Sequence, residues 1–177
     1  TSGSNNPWQW GIPTSGPNAA YSGEKLWATN IAGNSTSKTD AYIESPTISL
    51  PAENVSVLTF AHWVDMEDAA SMPDYGQVLV SNDGGETWTN ITPTDNGRYG
   101  RKIRAWRDEE ISLSDYMGQD IKIRFYFHSD GSVNAAGWYI DDVSVVELDT
   151  TLENLYIGQT NSTEDEITAV EYTNPTT

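Results

Sequence analysis

The chain has 177 residues, no cysteine, and 26 Asp and Glu against 9 Lys and Arg, which gives a formal net charge of −17 at pH 7. This length suits one domain with its own core and is too short for several. The composition excludes disulfides and metal thiolates. It also argues against nucleic acid as a partner, because binding nucleic acid requires clustered cations. No run of about 18 apolar residues is present, so the sequence predicts no membrane span.

The predicted strands begin after a stretch without regular structure. Residues 1–24 are rich in Gly, Pro, Ser and Asn, which predicts extended chain and turns. Beyond them the apolar residues recur with period two, and no segment shows the spacing of an amphipathic helix. Strands are predicted, in chain order, at 25–29, 42–50, 55–64, 77–81, 87–91, 104–113, 121–128 and 138–148.

Two of these strands predict how the sheets are covered. In IKIRFYFH, 121–128, apolar and polar residues alternate, so one face is expected to be buried and the other wetter. In VSVLTFAHWV, 55–64, apolar side chains lie on both faces, which indicates a central strand covered on each side. Together with the Asn-Gly, Asp-Gly and Gly-Gly turns, these patterns predict an all-β fold, an antiparallel β-sandwich or jelly roll.

The composition changes after Leu148, where the chain becomes Thr-rich and acidic. We expect one domain over residues 1–149 and a linker, or the start of a following module, over residues 150–177. One more strand at 152–157 is the alternative for part of this segment. The chain begins at Thr1 without Met or an apolar leader, so we expect a piece of a larger protein.

The stretch SNDGGETW, 81–88, matches the Asp-box pattern that recurs in sialidase propellers. Asp83 can accept hydrogen bonds from the backbone N–H groups that follow it, and Gly84 and Gly85 supply the positive φ of a tight hairpin. A propeller needs several blades with repeated boxes, whereas this chain has one copy and no internal repeat. The motif therefore predicts a single β-hairpin and no sialidase activity.

Six motifs, one of which includes the Asp-box stretch, occur in order along the chain. They are W-G-x-P-x-S-G-P at 10–17, S-G-x-x-x-W-x-T-N at 22–30, S-P-x-I-x-L at 45–50, F-x-H-W at 60–63, V-x-V-S-x-D-G-G-x-T-W at 78–88, and G-W-Y-I-D-D-V at 137–143. With them, the chain from about Trp8 to Leu148 resembles the MAM-like domain of immune inhibitor A metallopeptidases. Similar modules occur beside bacillopeptidase F-type serine peptidases and some carboxypeptidases. One departure is Asp74-Tyr75-Gly76, where the family often has Asp-Gly-Gly, and it puts the loop conformation there in question.

The resemblance implies a jelly-roll β-sandwich of the kind shared by galactose-binding-like and MAM domains. It implies a non-catalytic accessory domain of a secreted bacterial peptidase, whose partner is the catalytic domain of the same polypeptide. It also implies a structural calcium ion, which such domains commonly bind. A carbohydrate-binding or adhesion module, with polysaccharide or protein substrate as its target, is the alternative that remains open.

The residues themselves offer no hydrolytic machinery. The chain has two histidines and contains neither H-E-x-x-H nor G-x-S-x-G. His62 lies in the strand with two apolar faces, where a structural role is expected. His128 ends a strand before a turn, where surface exposure is expected. We therefore predict no enzyme activity for this chain, and any catalytic domain lies outside it.

Acidic residues gather in two stretches, DMEDAASMPD and IDDV. Calcium binds six to eight oxygens from carboxylates and carbonyls of irregular chain, and two adjacent charges inside an apolar strand need partners because burying an unpaired charge is costly. Alternatively, the IDDV pair projects into solvent at a bulge or pairs with Lys or Arg. The predicted calcium ligands come from Asp141, Asp142, Glu24, Asp65, Glu67 and Asp74.

Aromatic side chains are the other candidate binding groups, because exposed Trp and Tyr stack on sugar rings. Tyr75, Tyr99 and Trp106 are the ligand-binding candidates. Tyr99 and Trp106 lie in or beside the chain's one basic cluster, GRKIRAWR. These cations can dock an acidic ligand or pair with nearby acidic residues, and we expect internal pairing. A binding module requires exposed aromatic residues, whereas a purely structural domain buries them.

Overall fold

Two antiparallel sheets form the fold. The computed structural model describes residues 2–4 and 6–148, so the segment predicted as a linker at 150–177 lies outside the described residues. The six-stranded sheet has the order β1-β4-β10-β7-β8 with β5 beside β10, and the five-stranded sheet has the order β2-β3-β11-β6-β9. The strands are β1 Ser2–Ser4, β2 Gln9–Gly11, β3 Leu26–Ala28, β4 Thr39–Glu44, β5 Ile48–Ser49, β6 Val55–Asp65, β7 Tyr75–Ser81, β8 Thr89–Asn90, β9 Lys102–Ser112, β10 Asp120–Ser129 and β11 Gly137–Leu148.

The main core lies between the two sheets, which confirms the predicted all-β sandwich. Strand β10 alternates as its sequence requires, and its inward side chains Ile121, Ile123, Phe125 and Phe127 are buried. They pack with Leu58 and Phe60 of β6 and with Trp138 and Ile140 of β11 from the opposite sheet. One 3-10 turn, Ser114–Tyr116, is the sole helical element among the described residues, and no helix there could cross a membrane.

Strand β6 is covered on both faces, as its two apolar faces predict. It lies between β11 and β9 in the five-stranded sheet, and its inward residues belong to the main core. On the outer face Trp63 packs with Tyr139, Leu26 and Ala28 in a second cluster, which Ile31 and Trp106 partly cover. Ala20 and Ile31, from loops in the first third of the chain, pack against this outer cluster.

Strand boundaries differ from the prediction mainly near the amino terminus and at Pro46. The predicted irregular stretch contains β1 and β2, which are only three residues each. The predicted strand at 42–50 is divided into β4 and β5. Ser45 occupies the break, where its hydroxyl accepts the backbone N–H of Ile123 at 2.9 Å and donates to the carbonyl of Pro46 at 2.7 Å. Since proline has no N–H, the ladder stops there.

The Asp-box stretch forms the predicted hairpin between β7 and β8, whose register pairs Val80 with Thr89. Asp83 accepts the backbone N–H groups of Glu86 and Thr87 at 3.0 Å. Hydrogen bonds from the Thr87 hydroxyl and N–H hold the pKa of the Asp83 carboxyl far below its usual range. Gly84 and Gly85 have φ of 80° and 105°. The Asp83 carboxylate is therefore committed to the turn.

Candidate functional site

Three acidic side chains lie together at one end of the sandwich. Glu67 follows β6, Asp74 precedes β7 and Asp130 follows β10, and one carboxylate oxygen of each lies within 4.8 Å of those of the other two. The register of β10 and β7 pairs His128 with Tyr75, which brings Asp130 beside Asp74. We call Glu67, Asp74 and Asp130 the acidic cluster.

Asp74 is the buried member of the acidic cluster, with 1% of its surface exposed. Burial raises the pKa of its carboxyl above the usual value. A hydrogen bond from the backbone N–H of Asp130, at 2.9 Å, acts in the opposite direction, and the charges of Asp130 and Glu67 raise the pKa further. The position thus combines desolvation with like-charge repulsion, and a bound cation would relieve both.

Ser132 connects the two other members of the acidic cluster. Its backbone N–H donates to Asp130 Oδ1 at 2.7 Å, and its hydroxyl lies 2.9 Å from the same oxygen. The hydroxyl also lies 3.3 Å from Glu67 Oε2. The hydrogen bonds from Ser132 lower the pKa of the Asp130 carboxyl, so this group is ionised at neutral pH.

The donor set of the acidic cluster suits a hard divalent cation. It consists of carboxylate oxygens with a hydroxyl beside them, whereas zinc favours nitrogen and sulfur. None of the three carboxylates forms an ion pair within residues 6–148, although the charge of His128 acts to lower the pKa of Asp74 and Asp130. Calcium completes its six to eight oxygen ligands with carbonyls and water, which is compatible with three carboxylates on loops.

The structure brings together two of the six predicted ligands, Glu67 and Asp74, and adds Asp130. Sequence reasoning missed Asp130 because its Asp-Gly dipeptide indicates only a turn. Asp130 could have been predicted as a member only from the antiparallel pairing of β10 with β7. No local sequence pattern specifies this pairing. The other four predicted ligands lie elsewhere.

Asp141 and Asp142 hold a loop of the chain. Asp141 Oδ2 accepts the backbone N–H groups of Tyr21 and Ser22 at 2.9 and 3.2 Å, and Asp142 Oδ1 accepts the Ser22 hydroxyl at 2.6 Å. A register shift follows Asp141 in β11, and Asp142 has a φ of 48°. The two adjacent acidic residues are thus accommodated by a bulge and by hydrogen-bond donors of the same loop, on which Glu24 is exposed.

Asp65 lies at the end of β6 and is engaged with a cation. Its Oδ2 accepts a hydrogen bond from Arg104 at 3.1 Å. Its Oδ1 is buried and has no hydrogen-bond partner among the described residues. Asp65 therefore forms an ion pair with Arg104 of β9 and is not a member of the acidic cluster.

Both histidines are held by structural contacts. His62 is 1% exposed, its Nδ1 accepts the indole N–H of Trp138 at 3.1 Å, and its Nε2 lies 3.4 Å from Glu109 Oε1. The hydrogen bond to His62 lowers the pKa of the Glu109 carboxyl. His128 Nδ1 lies 2.7 Å from Asp40 Oδ1. These contacts match the structural role expected for His62.

The three candidate aromatic residues differ in exposure. Tyr99 is 5% exposed and donates its hydroxyl to Glu109 at 3.1 Å, which corrects the expectation that it offers a stacking face. Tyr75 is half-buried; its ring stacks with that of His128, and the guanidinium of Arg98 lies 4.0 Å from its ring centroid. Trp106 is half-buried and meets Tyr21 edge-on at 5.5 Å.

A different pair of aromatic residues lines an open cleft between the sheets. Trp10 is 52% exposed and its ring lies 5.7 Å from that of Trp27, tilted by 48°. The cleft has a volume of about 780 Å³, an apolar floor from β4, β10 and β11, and the acidic residues Glu44, Asp141 and Asp142 among its lining. We call it the Trp10 cleft.

Comparison with protein families matches a model described as "Immune inhibitor A-like, MAM domain" to residues 21–176. Among curated proteins, Bacillopeptidase F of Bacillus subtilis (strain 168) is 42% identical over 142 residues, which are 80% of this chain and 9% of that protein. Pre-pro-metalloprotease PrtV of Vibrio cholerae serotype O1 (strain M66-2) is 28% identical over 103 residues, 54% of this chain and 11% of that protein. The chain thus spans a small part of both relatives.

Among solved structures, the glycoside hydrolase domain of Endo-D from Streptococcus pneumoniae R6 superimposes with a TM-score of 0.52 at 17% identity. The match covers 81% of this chain and 21% of that one. At this identity the similarity concerns the fold alone, and it agrees with the β-sandwich described above.

Proposed function

This chain belongs to the immune inhibitor A-like MAM domain family, and from that premise we propose that it is a non-catalytic accessory domain of a larger, secreted bacterial peptidase. Its direct partner is then the catalytic domain of the same polypeptide. The net charge of −17 is compatible with solubility outside the cell. In this role the domain stabilises or orients the catalytic domain, or helps to target it to a substrate or surface.

The observation that carries this proposal is the size of the shared segment. The segment that aligns with Bacillopeptidase F is 80% of this chain and only 9% of that relative. A second relative named as a metalloprotease shares the segment over 11% of its length. A module that recurs as a small part of two differently named peptidases is best explained as an accessory to them.

The chemistry of the chain supports the non-catalytic part of the proposal. The sequence contains two histidines and no H-E-x-x-H, and each histidine is engaged with an acidic residue. A general base needs a reachable proton acceptor in a cleft, and the buried Nδ1 of His62 is already bonded to Trp138.

Hydrolysis of labelled casein by the full 177-residue chain tests this point. We expect no turnover above a buffer blank, with calcium or with chelator. Turnover that survives repeated purification and is lost in His62→Gln would contradict the proposal. A His128→Gln variant serves as the matched control, because it also removes one imidazole, from the half-exposed histidine beside Asp40.

We also propose that the acidic cluster holds a structural calcium ion, with Glu67, Asp74 and Asp130 as its ligands. The support is the buried carboxylate of Asp74 next to two further carboxylates that form no ion pair within residues 6–148. When bound, the ion would supply positive charge that links the ends of three strands. The residues themselves contribute oxygen ligands and, through Ser132, a fixed orientation of Asp130.

Thermal unfolding of the full chain in excess calcium and in excess chelator tests the calcium site. Calcium at about one hundred times its dissociation constant should stabilise the folded state by roughly 2.7 kcal/mol. Asp130→Asn should lose this gain. Asp115→Asn removes the same charge from the 3-10 turn, outside the acidic cluster, and should retain it. No gain in a sample shown metal-free by elemental analysis, or equal losses in both variants, would contradict the site.

Carbohydrate binding is a second candidate function, which the Trp10 cleft favours. An exposed indole beside a second indole offers an apolar face for a sugar ring, and the acidic residues in the lining of the cleft can accept hydrogen bonds from sugar hydroxyls. Electrophoresis through gels that contain soluble polysaccharides measures this binding. Retardation that is lost in Trp10→Ala and retained in Ile12→Ala, which truncates an equally exposed apolar side chain, would support it. Equal mobility of all three proteins in every gel would contradict it.

A further inference from the structure

More than half of the positively charged side chains of this acidic protein lie within one ten-residue segment. Five of the nine Lys and Arg residues lie between positions 98 and 107. This segment leads from a loop into β9, which is an edge strand of the five-stranded sheet. The five residues are Arg98, Arg101, Lys102, Arg104 and Arg107.

Four of these five cations line one cleft, which opens beside β9. The cleft has a volume of about 610 Å³, with His62 and Tyr99 also in its wall. Its cations are Arg98, Arg101, Lys102 and Arg107, and its acidic residues are Asp68, Asp95 and Glu109. We call it the basic cleft, because its cations outnumber its acidic residues in a chain of net charge −17.

Internal ion pairing, which the sequence led us to expect, accounts for only part of this charge. Arg101 pairs with Asp68 at 3.0 Å, and Arg104 pairs with Asp65 at 3.1 Å. The other three cations, Arg98, Lys102 and Arg107, form no ion pair within the described part of the chain. Arg98 lies 4.0 Å above the ring of Tyr75, a contact that holds the guanidinium without neutralising it.

The backbone of this segment adopts conformations that side chains disfavour. Arg101 has a φ of 70° and Arg104 a φ of 50°. Arg104 lies within the irregular stretch where the pairing of β6 with β9 passes from Trp63–Trp106 to Asp65–Lys102, and Arg101 comes just before this stretch. Residues other than glycine occupy this region at a cost. These are the two arginines whose guanidinium groups pair with Asp68 and Asp65, so internal ion pairs hold the side chains at the strained positions.

Strand β9 also offers backbone groups beside the basic cleft. It pairs with β6 along one edge, and its other edge has no strand partner among residues 2–4 and 6–148. An extended polypeptide can add to such an edge through main-chain hydrogen bonds, while pockets select its side chains.

We infer that the basic cleft binds an acidic, extended polypeptide segment, whose carboxylates contact Arg98, Lys102 and Arg107 while its backbone follows the free edge of β9. An acidic saccharide fits less well, because Tyr99, the one Tyr or Trp among the described residues that line the cleft, is buried and offers no open face for stacking. The inference goes beyond the accessory role, since it names the chemistry of a partner and does not depend on the calcium site.

Fluorescence anisotropy with a labelled hexaglutamate peptide and the full chain tests this inference. The net charge of the chain repels the peptide, so binding requires a local site. We expect saturable binding that weakens as NaCl rises from about 50 to about 500 mM. Lys102→Gln should weaken it about tenfold, the effect of losing one charge-assisted hydrogen bond. Lys25→Gln removes another exposed lysine, which lies outside the cleft and forms no ion pair with the described residues, and it should leave the binding unchanged.

Three results would overturn the inference. They are no binding of hexaglutamate at low salt, an equal loss of affinity in Lys102→Gln and Lys25→Gln, and tighter Lys102-dependent binding of oligogalacturonate than of hexaglutamate. Arg107→Gln provides a second variant in the cleft if Lys102→Gln unfolds, as judged by circular dichroism.

Discussion

Asp74 accepts the backbone N–H of Asp130 at 2.9 Å, while the side-chain charge of Asp130 opposes ionisation of Asp74. The two interactions depend on different properties of Asp74. The hydrogen bond needs only a carbonyl-type oxygen, whereas the repulsion needs the negative charge. Replacing the Asp74 carboxylate by an amide therefore keeps the hydrogen bond from Asp130 and removes the charge repulsion.

Asp74→Asn should stabilise the metal-free protein and abolish its response to calcium. The amide oxygen retains the bond from Asp130, and the buried charge and its repulsion disappear. We expect the Tm in chelator to rise by about 2–4 °C, which corresponds to about 1 kcal/mol for a domain of this size. Calorimetry of both proteins, with and without calcium, measures the change. A lower Tm of Asp74→Asn in chelator would show that the carboxylate supports the fold without a cation.

The raised pKa of Asp74 should make the metal-free protein less stable as the pH rises. Since the pKa is higher in the folded state than its ordinary value of 3.8, the neutral carboxyl favours folding. This contribution is complete below about 3.8 and is lost as the pH rises through the folded-state pKa. Denaturant unfolding in chelator should show that the wild type loses stability relative to Asp74→Asn over this rise. A constant difference between them would contradict the assignment.

Asp83→Asn should destabilise the hairpin with the opposite dependence on pH. The Thr87 hydroxyl and N–H lower the pKa of this carboxyl below its ordinary value of 3.8. Its contribution to stability is therefore present above about 3.8 and is lost as the pH falls through the lowered folded-state pKa. The stability gap between wild type and Asp83→Asn should be largest near neutral pH and shrink in acid. Asp95→Asn, in an exposed turn, should show no comparable gap.

Gly76→Ala should destabilise the core, because a Cβ at this position would lie 2.4 Å from the ring of Trp138. Trp138 is fully buried in the main core and cannot move aside without disturbing its neighbours. Overpacking of this kind costs about 1–3 kcal/mol. Gly33→Ala, where the nearest side-chain atom is 3.5 Å away, is the control and should change stability little. Urea unfolding of both variants measures the difference, and equal stabilities would contradict the predicted clash.

Local patterns predicted the strands of this fold because each depends on side chains within one segment. The alternation in 121–128 and the two apolar faces of 55–64 correspond to β10 and β6, and their burial follows the pattern. Strands β1 and β2 were missed because three residues among Gly, Pro and Ser carry no periodicity. They exist through pairing with β4 and β3, which is a tertiary property.

The acidic cluster was only partly predictable for a similar reason. Glu67 and Asp74 belong to one acidic stretch, whereas Asp130 joins them through the register of β10 with β7. Asp141 attracted attention as a charge in an apolar strand, and its partners are the backbone N–H groups of Tyr21 and Ser22. Such donors have no sequence signature. The basic cluster was visible in the sequence, but only the three-dimensional arrangement shows that Lys102 and Arg107 form no ion pair within the described residues, although the charge of Arg107 lowers the pKa of Glu109.

Strand β11 lies in the middle of the five-stranded sheet although it is the last described strand in chain order. Before Gly137–Leu148 is available, β2 and β3 have no connection to β6, and Trp63 lacks the cover of Tyr139. A chain that leaves the ribosome or an export channel amino terminus first therefore cannot complete this sheet until its last strand has emerged. The five-stranded sheet therefore depends on its most carboxy-terminal described strand, and its formation requires contacts between residues far apart in the sequence.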